Sequence, residues 1–311
     1  MTSQLSSPWH PGEIALQQEV DAEEKMAEIG RRVIRDHLIE QHRIFFSQLC
    51  YVLLGSVDSQ GHVWATIRSG TPGFLHSPDP HALVVQIGHD PDDPADPGIS
   101  QGQAIGLLGI ELHSRRRNRL NGVVTRRDLH GFTLAVVQSF GNCPRYIHRR
   151  DAHIPDGNMS GSICSAVAVA ANEPLVRGIV ARADTFFVAT YADIDDQGRQ
   201  VDMSHRGGPS GFIRLQDDGS MIIPDYNGNQ YFNTLGNMLL NSRAGLVFPD
   251  FASGSLLQLT GDVDIDLTSD AIATFAGAER LWRFKPHSGV YRAGALPLRW
   301  KIRDGETLAS G

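Results

Sequence analysis

The sequence lacks the short motifs by which many enzymes are recognised. Its 311 residues contain no H-E-x-x-H zinc motif, no P-loop and no G-x-G-x-x-G after a strand. Cysteine is scarce, because only Cys50, Cys143 and Cys164 are present, and they show no C-x-x-C spacing. This pattern indicates neither a disulfide framework nor a zinc site, and we expect no metal.

Long apolar runs are also missing. The longest, Ile163 to Ala171, is too short to span a bilayer. The N-terminal residues 1–13 show no basic segment followed by an apolar run, so no signal peptide is predicted. The net charge of −7 argues against general nucleic-acid binding, and 41% hydrophobic with 20% charged residues is typical of a soluble globular protein. We therefore expect a cytoplasmic protein with no membrane partner.

An N-terminal arm precedes the strands. Apolar residues recur at roughly helical spacing through residues 1–45, which predicts helices there. One helix is predicted from Asp36 to Phe46, before the first half, and a matching one from Pro174 to Arg182 opens the second half. Near its start, His10 and Glu13 are candidate metal ligands, but no third ligand lies nearby in the sequence. A docking arm is the better interpretation.

The stretch from Val201 to Asn237 is the most informative part of the chain. Asp217 to Gly219 is a hairpin turn signal, and the apolar Met221 to Ile223 after it predicts a strand. A polar turn then leads into a predicted helix from Phe232 to Leu240. The stretch therefore predicts strand, tight turn, strand, polar turn and helix.

The start of that helix is a candidate anion site. Its first turns carry Asn233, Thr234 and Asn237, and a helix N-terminus ringed by small polar side chains favours an anion. His205 and Arg206 on the preceding strand are available to face it. The alternative is an ordinary polar hairpin with a capped helix.

The chain contains an internal repeat. Residues 62–74 align with residues 200–212, and residues 106–124 align without gaps on residues 245–263. Two matching blocks in the same order make a duplication the natural explanation. The halves differ between these blocks, where the first half has residues 88–103, rich in Pro, Asp and Gly. Such a run cannot form a helix, and we expect a surface loop.

Six arginines cluster in the first half, and three interpretations remain open. They could bind nucleic acid, form a solvated strand face, or neutralise a bound phosphate, for which the planar guanidinium is well suited. We favour the last for some of them. The cluster comprises Arg115, Arg116, Arg117, Arg119, Arg126 and Arg127.

Two motifs in the second half resemble those of a known family. Ser204 to Gly208 with Gly211-Phe212 is similar to an "SHRGG-x-x-GF" strand, and Phe232 to Asn237 to an "F-N-T-L-G-N" turn. Both are found in a bacterial branch of the pyridoxamine 5'-phosphate oxidase-like, FMN-binding split-barrel flavoproteins. Asn142 to Pro144 resembles the "N-C-P-x-Y-I" element that the same branch places beside the flavin. A nucleophilic role for Cys143 is the alternative, but no His/Asp pairing supports it.

The resemblance implies a mainly β fold with helices (α+β). Two tandem FMN-binding split β-barrels would form a pseudo-dimer with an N-terminal helical arm. The expected divisions are an arm over 1–45, a first half over 46–150, a linker over 151–172 and a second half over 173–311, which carries the phosphate motif. The expected FMN-binding residues are Ser204, His205, Arg206, Tyr226, Asn227, Asn229, Phe232, Asn233, Thr234, Asn237, Arg117, Asn142, Cys143 and Pro144.

The implied function is an FMN-dependent oxidoreductase that transfers hydride through flavin N5 to or from a small molecule. NAD(P)H or a reductase would donate electrons, and a homodimer remains open. The alternative is a flavin- or haem-binding module without turnover. The family's founding member carries adjacent basic residues where Asn233 and Thr234 stand here, and its C-terminal Arg-x-His element is missing. A pyridoxine-phosphate substrate is therefore disfavoured.

Overall fold

Strands dominate the structure, a computed structural model that describes residues 7–155, 165–195 and 197–303. They hold 45% of the residues, and large antiparallel sheets are accompanied by helices, which confirms the predicted α+β class. Among the described residues, no helix has the length and apolarity that a membrane crossing requires. The helices are α1 (Pro11–Glu19), α2 (Glu23–Val33), α3 (Glu40–Gln48), α4 (Pro174–Arg182) and α5 (Asn233–Leu240).

The first half forms a seven-stranded sheet in the order β2-β1-β5-β6-β7-β4-β3. All of its neighbouring strands are antiparallel. The strands are β1 (Tyr51–Val57), β2 (Val63–Ser69), β3 (Leu75–His76), β4 (Ala82–Val85), β5 (Ala104–Glu111), β6 (Arg116–Asp128) and β7 (Gly131–Gly141).

Two short strands come next in the chain, β8 (Arg150–His153) and β9 (Ala166–Val169). The second half forms an eight-stranded sheet, of which β9 is one strand. Its order is β11-β10-β14-β15-β16-β13-β12, with β9 paired to β16, while β17 pairs with β8 in a separate ribbon. The remaining strands are β10 (Thr185–Ile194), β11 (Gly198–Gly207), β12 (Arg214–Leu215), β13 (Met221–Tyr226), β14 (Arg243–Asp250), β15 (Ser255–Asp266), β16 (Ala278–Arg292) and β17 (Arg299–Ile302).

The second sheet repeats the first strand for strand. Both begin with two hairpin strands, and both interrupt the pairing of their longest strands at the same aligned place. The register shifts at Gly122 between β6 and β7, and at Gly261 between β15 and β16. The repeat predicted from the sequence is therefore present in the strand order and in the position of a β-bulge.

The two halves cross where aligned glycines meet the partner half. A Cβ on Gly106 would lie 2.7 Å from the carbonyl carbon of Asp202, and one on Gly245 would lie 2.7 Å from that of Val63. Side chains are excluded at both positions, because the backbones approach too closely. Strand β5 consequently packs against β11, and β14 packs against β2, while β6, the neighbour of β5, also contacts β11.

The N-terminal arm and the linker differ from expectation in detail. The arm is helical, but residues 34–39 are not, and Arg35 instead bridges to Ser139 on β7. Helix α3 therefore begins at Glu40, whereas the sequence pattern predicted a start at Asp36. The segment predicted as a linker contributes β8 and β9, although residues 156–164 lie outside the described part. Cys164 is among them.

The acidic loop is the main correction, because only part of it lies on the surface as predicted, while its middle is buried. Asp93 and Asp96 are only 1% and 3% exposed. A single 3₁₀ turn, Asp96–Gly98, also forms where no helix was expected. The reason is long-range, since both carboxylates form ion pairs with Arg68 on β2.

Close packing of α1 on α5 gives a test of the fold. A Cβ on Gly12 would lie 2.9 Å from the carbonyl carbon of Gly236 on α5. We expect Gly12→Ala to lower the free energy of unfolding by about 1–3 kcal/mol, because overpacking separates the helices. Denaturant unfolding measures it. Gly178→Ala, in α4, is the matched control, since its Cβ would meet only the end of the Arg182 side chain, at 3.3 Å. Equal effects would contradict the proposed contact.

Candidate functional site

A cleft of about 860 Å³, open solvent at its mouth included, lies where the two halves meet. The first half contributes β6 and the segment after β7, and the second half contributes β11, β13, β16 and the turn into α5. Its polar lining includes Arg117, Arg119, Asn142, Cys143, Arg145, Tyr146, Ser204, His205, Arg206, Asp225, Tyr226, Asn229, Gln230, Asn233, Thr234 and Arg280.

Strand geometry explains why the key side chains converge. Residues two apart on a strand share a face, so Arg117 and Arg119 on β6 point together, as do Ser204 and Arg206 on β11. Arg119 donates to Asp202 at 2.9 Å and also to Ser204 Oγ. The guanidinium of one half is thus inserted among the polar side chains of the other.

Asp225 and the two arginines that contact it form another wall of the cleft. Arg206 donates from Nη1 to Asp225 at 2.5 Å, and Arg280 donates from Nε to the same carboxylate at 3.2 Å. Arg280 also donates to Glu279 at 2.6 Å and lies over the Phe232 ring, 4.8 Å from its centroid. Asp225 thereby fixes two arginines that reach the cleft from different strands.

The cleft is strongly cationic. Five of its lining residues are arginines, whereas Asp225 is the only carboxylate among them, in a chain of net charge −7. No carboxylate in the described ranges forms an ion pair with Arg117. Burial, reinforced by the neighbouring Arg119 guanidinium, lowers the pKa of Arg117. Arg117 is half-buried, and a guanidinium held partly out of water without a counter-ion is costly, so this arrangement favours an anionic ligand.

Several buried polar atoms of the lining have no partner in the described part of the chain. They are Nε of Arg119, Nε of Arg206, Nε2 of His205 and Nδ2 of Asn142. Burial, together with Arg117, lowers the pKa of His205 well below its usual value, so its ring is neutral. Unpaired buried donors are rare in native structures. Three of these four are nitrogens that can only donate, and they point to an absent acceptor.

Backbone strain concentrates at the same place. Tyr146, Gln230 and Phe232 all have positive φ, at 62°, 61° and 58°, in a region that non-glycine residues seldom occupy. The Tyr146 ring stacks on Tyr226 across the two halves, with centroids 5.2 Å apart. Such strain is found preferentially at functional sites.

The N-terminal arm supports the cleft from behind. Asn233 accepts from Arg119 Nη1 at 2.7 Å and donates to the Oε1 of Glu13. Glu13 also accepts from the backbone N–H of His10 at 2.9 Å, closing a capping box at the start of α1. The described residues contain no group of three metal-ligand side chains. His10 and Glu13 are joined in the capping box of α1, and Glu13 also contacts Asn233 on α5.

Eleven of the fourteen predicted site residues line this cleft. The exceptions lie nearby. Asn227 accepts from Tyr146 Oη at 3.0 Å through its carbonyl oxygen, and Asn237 faces away from the cleft and donates to Thr190 at 3.1 Å. Pro144 is the third. Asn233 and Thr234 line the cleft, but their side chains already bond within the protein.

The predicted site residues omit six polar lining residues: Arg119, Arg145, Tyr146, Asp225, Gln230 and Arg280. Signals existed for three of them. Alternation along β6 puts Arg119 beside Arg117, and Arg145 and Tyr146 belong to the "N-C-P-x-Y-I" element. Asp225 and Arg280 meet only through the β13–β16 pairing.

The other arginines of the cluster lie elsewhere. Arg115 donates to Ile147 O at 2.9 Å, and Arg116 donates to Gln41 O at 2.9 Å while covering the Phe45 ring. Arg127 pairs with Asp96, and Arg126 is exposed beside Asp128. The six therefore form no single basic surface.

No protein-family profile matches the chain, and no curated protein shows significant similarity to it. Solved structures resemble parts of it. HupZ from Group A Streptococcus is 12% identical at a TM-score of 0.30, over 39% of this chain and 98% of its own. HutZ, the haem storage protein of Vibrio cholerae, is 13% identical at a TM-score of 0.29, over 40% of this chain and 96% of its own. A candidate pyridoxamine 5'-phosphate oxidase from Lactobacillus delbrueckii is 18% identical at a TM-score of 0.26, over 34% of this chain and 95% of its own. Similarities this slight carry no statement about activity.

The buried Glu13 predicts a pH dependence of stability. Burial raises its pKa from 4.5 to about 8, so the folded chain favours the protonated carboxyl. That stabilisation is complete below pH 4.5 and is lost as the pH rises to about 8. Relative to Glu13→Gln, which stays neutral, wild-type stability should fall by up to about 1.4 kcal/mol per pH unit across that window. Denaturant unfolding at several pH values measures this. Glu19→Gln, exposed on the same helix, is the control, and parallel curves for Glu13→Gln and wild type would disprove the assignment.

Proposed function

We propose that the cleft binds FMN and that the protein is a flavin-dependent oxidoreductase built from two tandem split barrels. The observation that carries this is the excess of arginines in the cleft, together with the unpaired Nε atoms of Arg119 and Arg206. Those donors suit the phosphate of a cofactor. Since the sequence offers no recognised motif of side-chain catalysis, a cofactor that performs the chemistry is the simplest explanation.

The residues present fit such a group. Arg206 and Arg119 would hold the phosphate beside the first backbone N–H groups of α5, which have no intrahelical acceptor. The stacked Tyr146 and Tyr226 offer flat surfaces at the same cleft. When bound, FMN would supply hydride transfer through its N5 atom. The chain's own residues would orient it and neutralise its charge, and NAD(P)H or a reductase would be the electron donor for an unidentified small molecule.

A haem-binding module without turnover is the second candidate. It is favoured by one observation, the unpaired and neutral Nε2 of His205, since a neutral imidazole is a common iron ligand. The arginines would then face the haem propionates. The two ligands differ in colour, so a spectrum separates the candidates.

The visible spectrum of the purified protein is the first test. We expect flavin absorption, and mass analysis of the chromophore released by heat should identify FMN. A colourless preparation that takes up no FMN on titration would remove the proposal. An intense Soret band with iron present would favour the haem alternative.

Arg206→Ala tests the phosphate contact. It removes a charge-assisted hydrogen bond, typically about 1.5–3 kcal/mol, so the Kd for FMN should rise roughly 10- to 150-fold. Fluorescence titration measures it. Arg199→Ala is the matched control, since Arg199 lies on the same strand but pairs with Asp193 at the surface, at 2.8 Å, where such pairs contribute little. An unchanged Kd for Arg206→Ala would contradict the contact.

A further inference from the structure

The first half contains the structural counterpart of the cleft. Strands β2 and β11 occupy the same place in their sheets. Each is followed by a glycine whose Cβ would meet the ring of a phenylalanine four residues later. Strands β6 and β15 correspond through the ungapped block. The correspondence pairs Thr66 with Ser204, Arg68 with Arg206, and Gln258 with Arg119.

In the first half, these three counterparts converge on a single carboxylate. Arg68 donates from Nε to Asp93 Oδ2 at 2.7 Å, and Thr66 donates to the same oxygen at 2.5 Å. Gln258, from the other half, donates to Asp93 Oδ1 at 2.9 Å. The Asp93 carboxylate therefore lies between the two halves, at the position that corresponds to the open cleft of the second half.

The acid is ionised and enclosed by charge. Burial opposes ionisation of Asp93, but Arg68 and Arg292 outweigh it and hold the pKa below its usual value. Arg292 lies 3.3 Å from Asp93. Asp96 accepts from Arg68 at 2.8 Å and from Arg127 at 2.6 Å. The loop thus supplies the negative charge that these arginines need.

The aligned arginines of the two halves differ at their Nε atoms. The Nε of Arg68 donates to Asp93, whereas the Nε of Arg206 is buried and has no acceptor in the described part of the chain. Arg206 does pair with Asp225, but through Nη1. The same donor is satisfied by the chain in one half and left open in the other.

We propose that the acidic loop is an internal substitute for a ligand's anionic group. Asp93 fills in the first half the position that an oxyanion takes beside Arg206 Nε in the second. The first-half site is thereby closed, and the second takes a phosphate-type group from its ligand. The assignment of a phosphate-type group to the position beside Arg206 rests on the proposed function, whereas the closure of the first-half site by Asp93 does not.

Anion rescue tests the first-half claim. In chloride, Asp93→Ala should lower Tm by on the order of 10 °C, because it leaves Arg68 and Arg292 buried without their carboxylate. Inorganic phosphate at equal ionic strength should occupy the vacated position and restore a large part of that loss. Asp92→Ala, one residue away with no ion pair among the described residues, should show only the phosphate response of the wild type. Where Asp93→Ala does not fold in chloride, its recovery on refolding in phosphate tests the same claim, whereas Asp93→Asn keeps the position filled and should show no phosphate rescue.

The variant Arg206→Ala measures the contribution of the second-half cleft separately from that of the first half. Wild type should be stabilised by phosphate over chloride through the cleft alone, and Arg206→Ala should lose that shift. Arg206→Ala with Asp93→Ala should regain a shift through the opened first half. Asp93→Ala losing Tm equally in both salts would overturn the internal-substitute proposal. A rescued Asp93→Ala in a chain that takes up no FMN would keep this inference while removing the proposed function.

Discussion

Burial of guanidinium charge between two sheets is the constraint on which the site depends. Where the halves cross, each places arginines against strands of the other, and a buried cation requires a negative partner. In the first half the chain supplies that partner from its own loop, as Asp93 beside Arg68. In the second half Asp225 and Asp202 meet only part of the requirement. The remaining positive charge defines the cleft.

The N-terminal arm belongs to this arrangement. A glycine-on-glycine contact places α1 directly against α5, close enough for Glu13 to reach Asn233 and, through it, Arg119. The hydrogen bonds run from the arm into the wall of the cleft. The arm therefore positions a guanidinium that it never touches, and the glycine of the F-N-T-L-G-N turn is explained by packing.

Much of the fold could be predicted from local patterns. Helix α4 begins and ends at the predicted residues, the turn around Gly219 joins β12 to β13, and the aligned blocks predicted the repeat. The predictions failed where a contact joins residues that are far apart in the sequence. Composition alone indicated a solvated acidic loop, because nothing near the loop in sequence reveals that its carboxylates form ion pairs with Arg68 and Arg292. Arg280 was missed for the same reason, since only the pairing of β13 with β16 brings it to Asp225.

The asymmetry between two equivalent positions makes the number of flavins per chain the most direct measurement. Flavin absorbance against protein concentration, in a fully reconstituted sample, gives that number. One per chain is predicted, because Asp93 fills the first-half position beside the Nε of Arg68, whereas the equivalent Nε of Arg206 has no acceptor in the described part of the chain. Two per chain would contradict the closed first half, none would contradict the cleft assignment, and one for every two chains would place the site between copies of the protein.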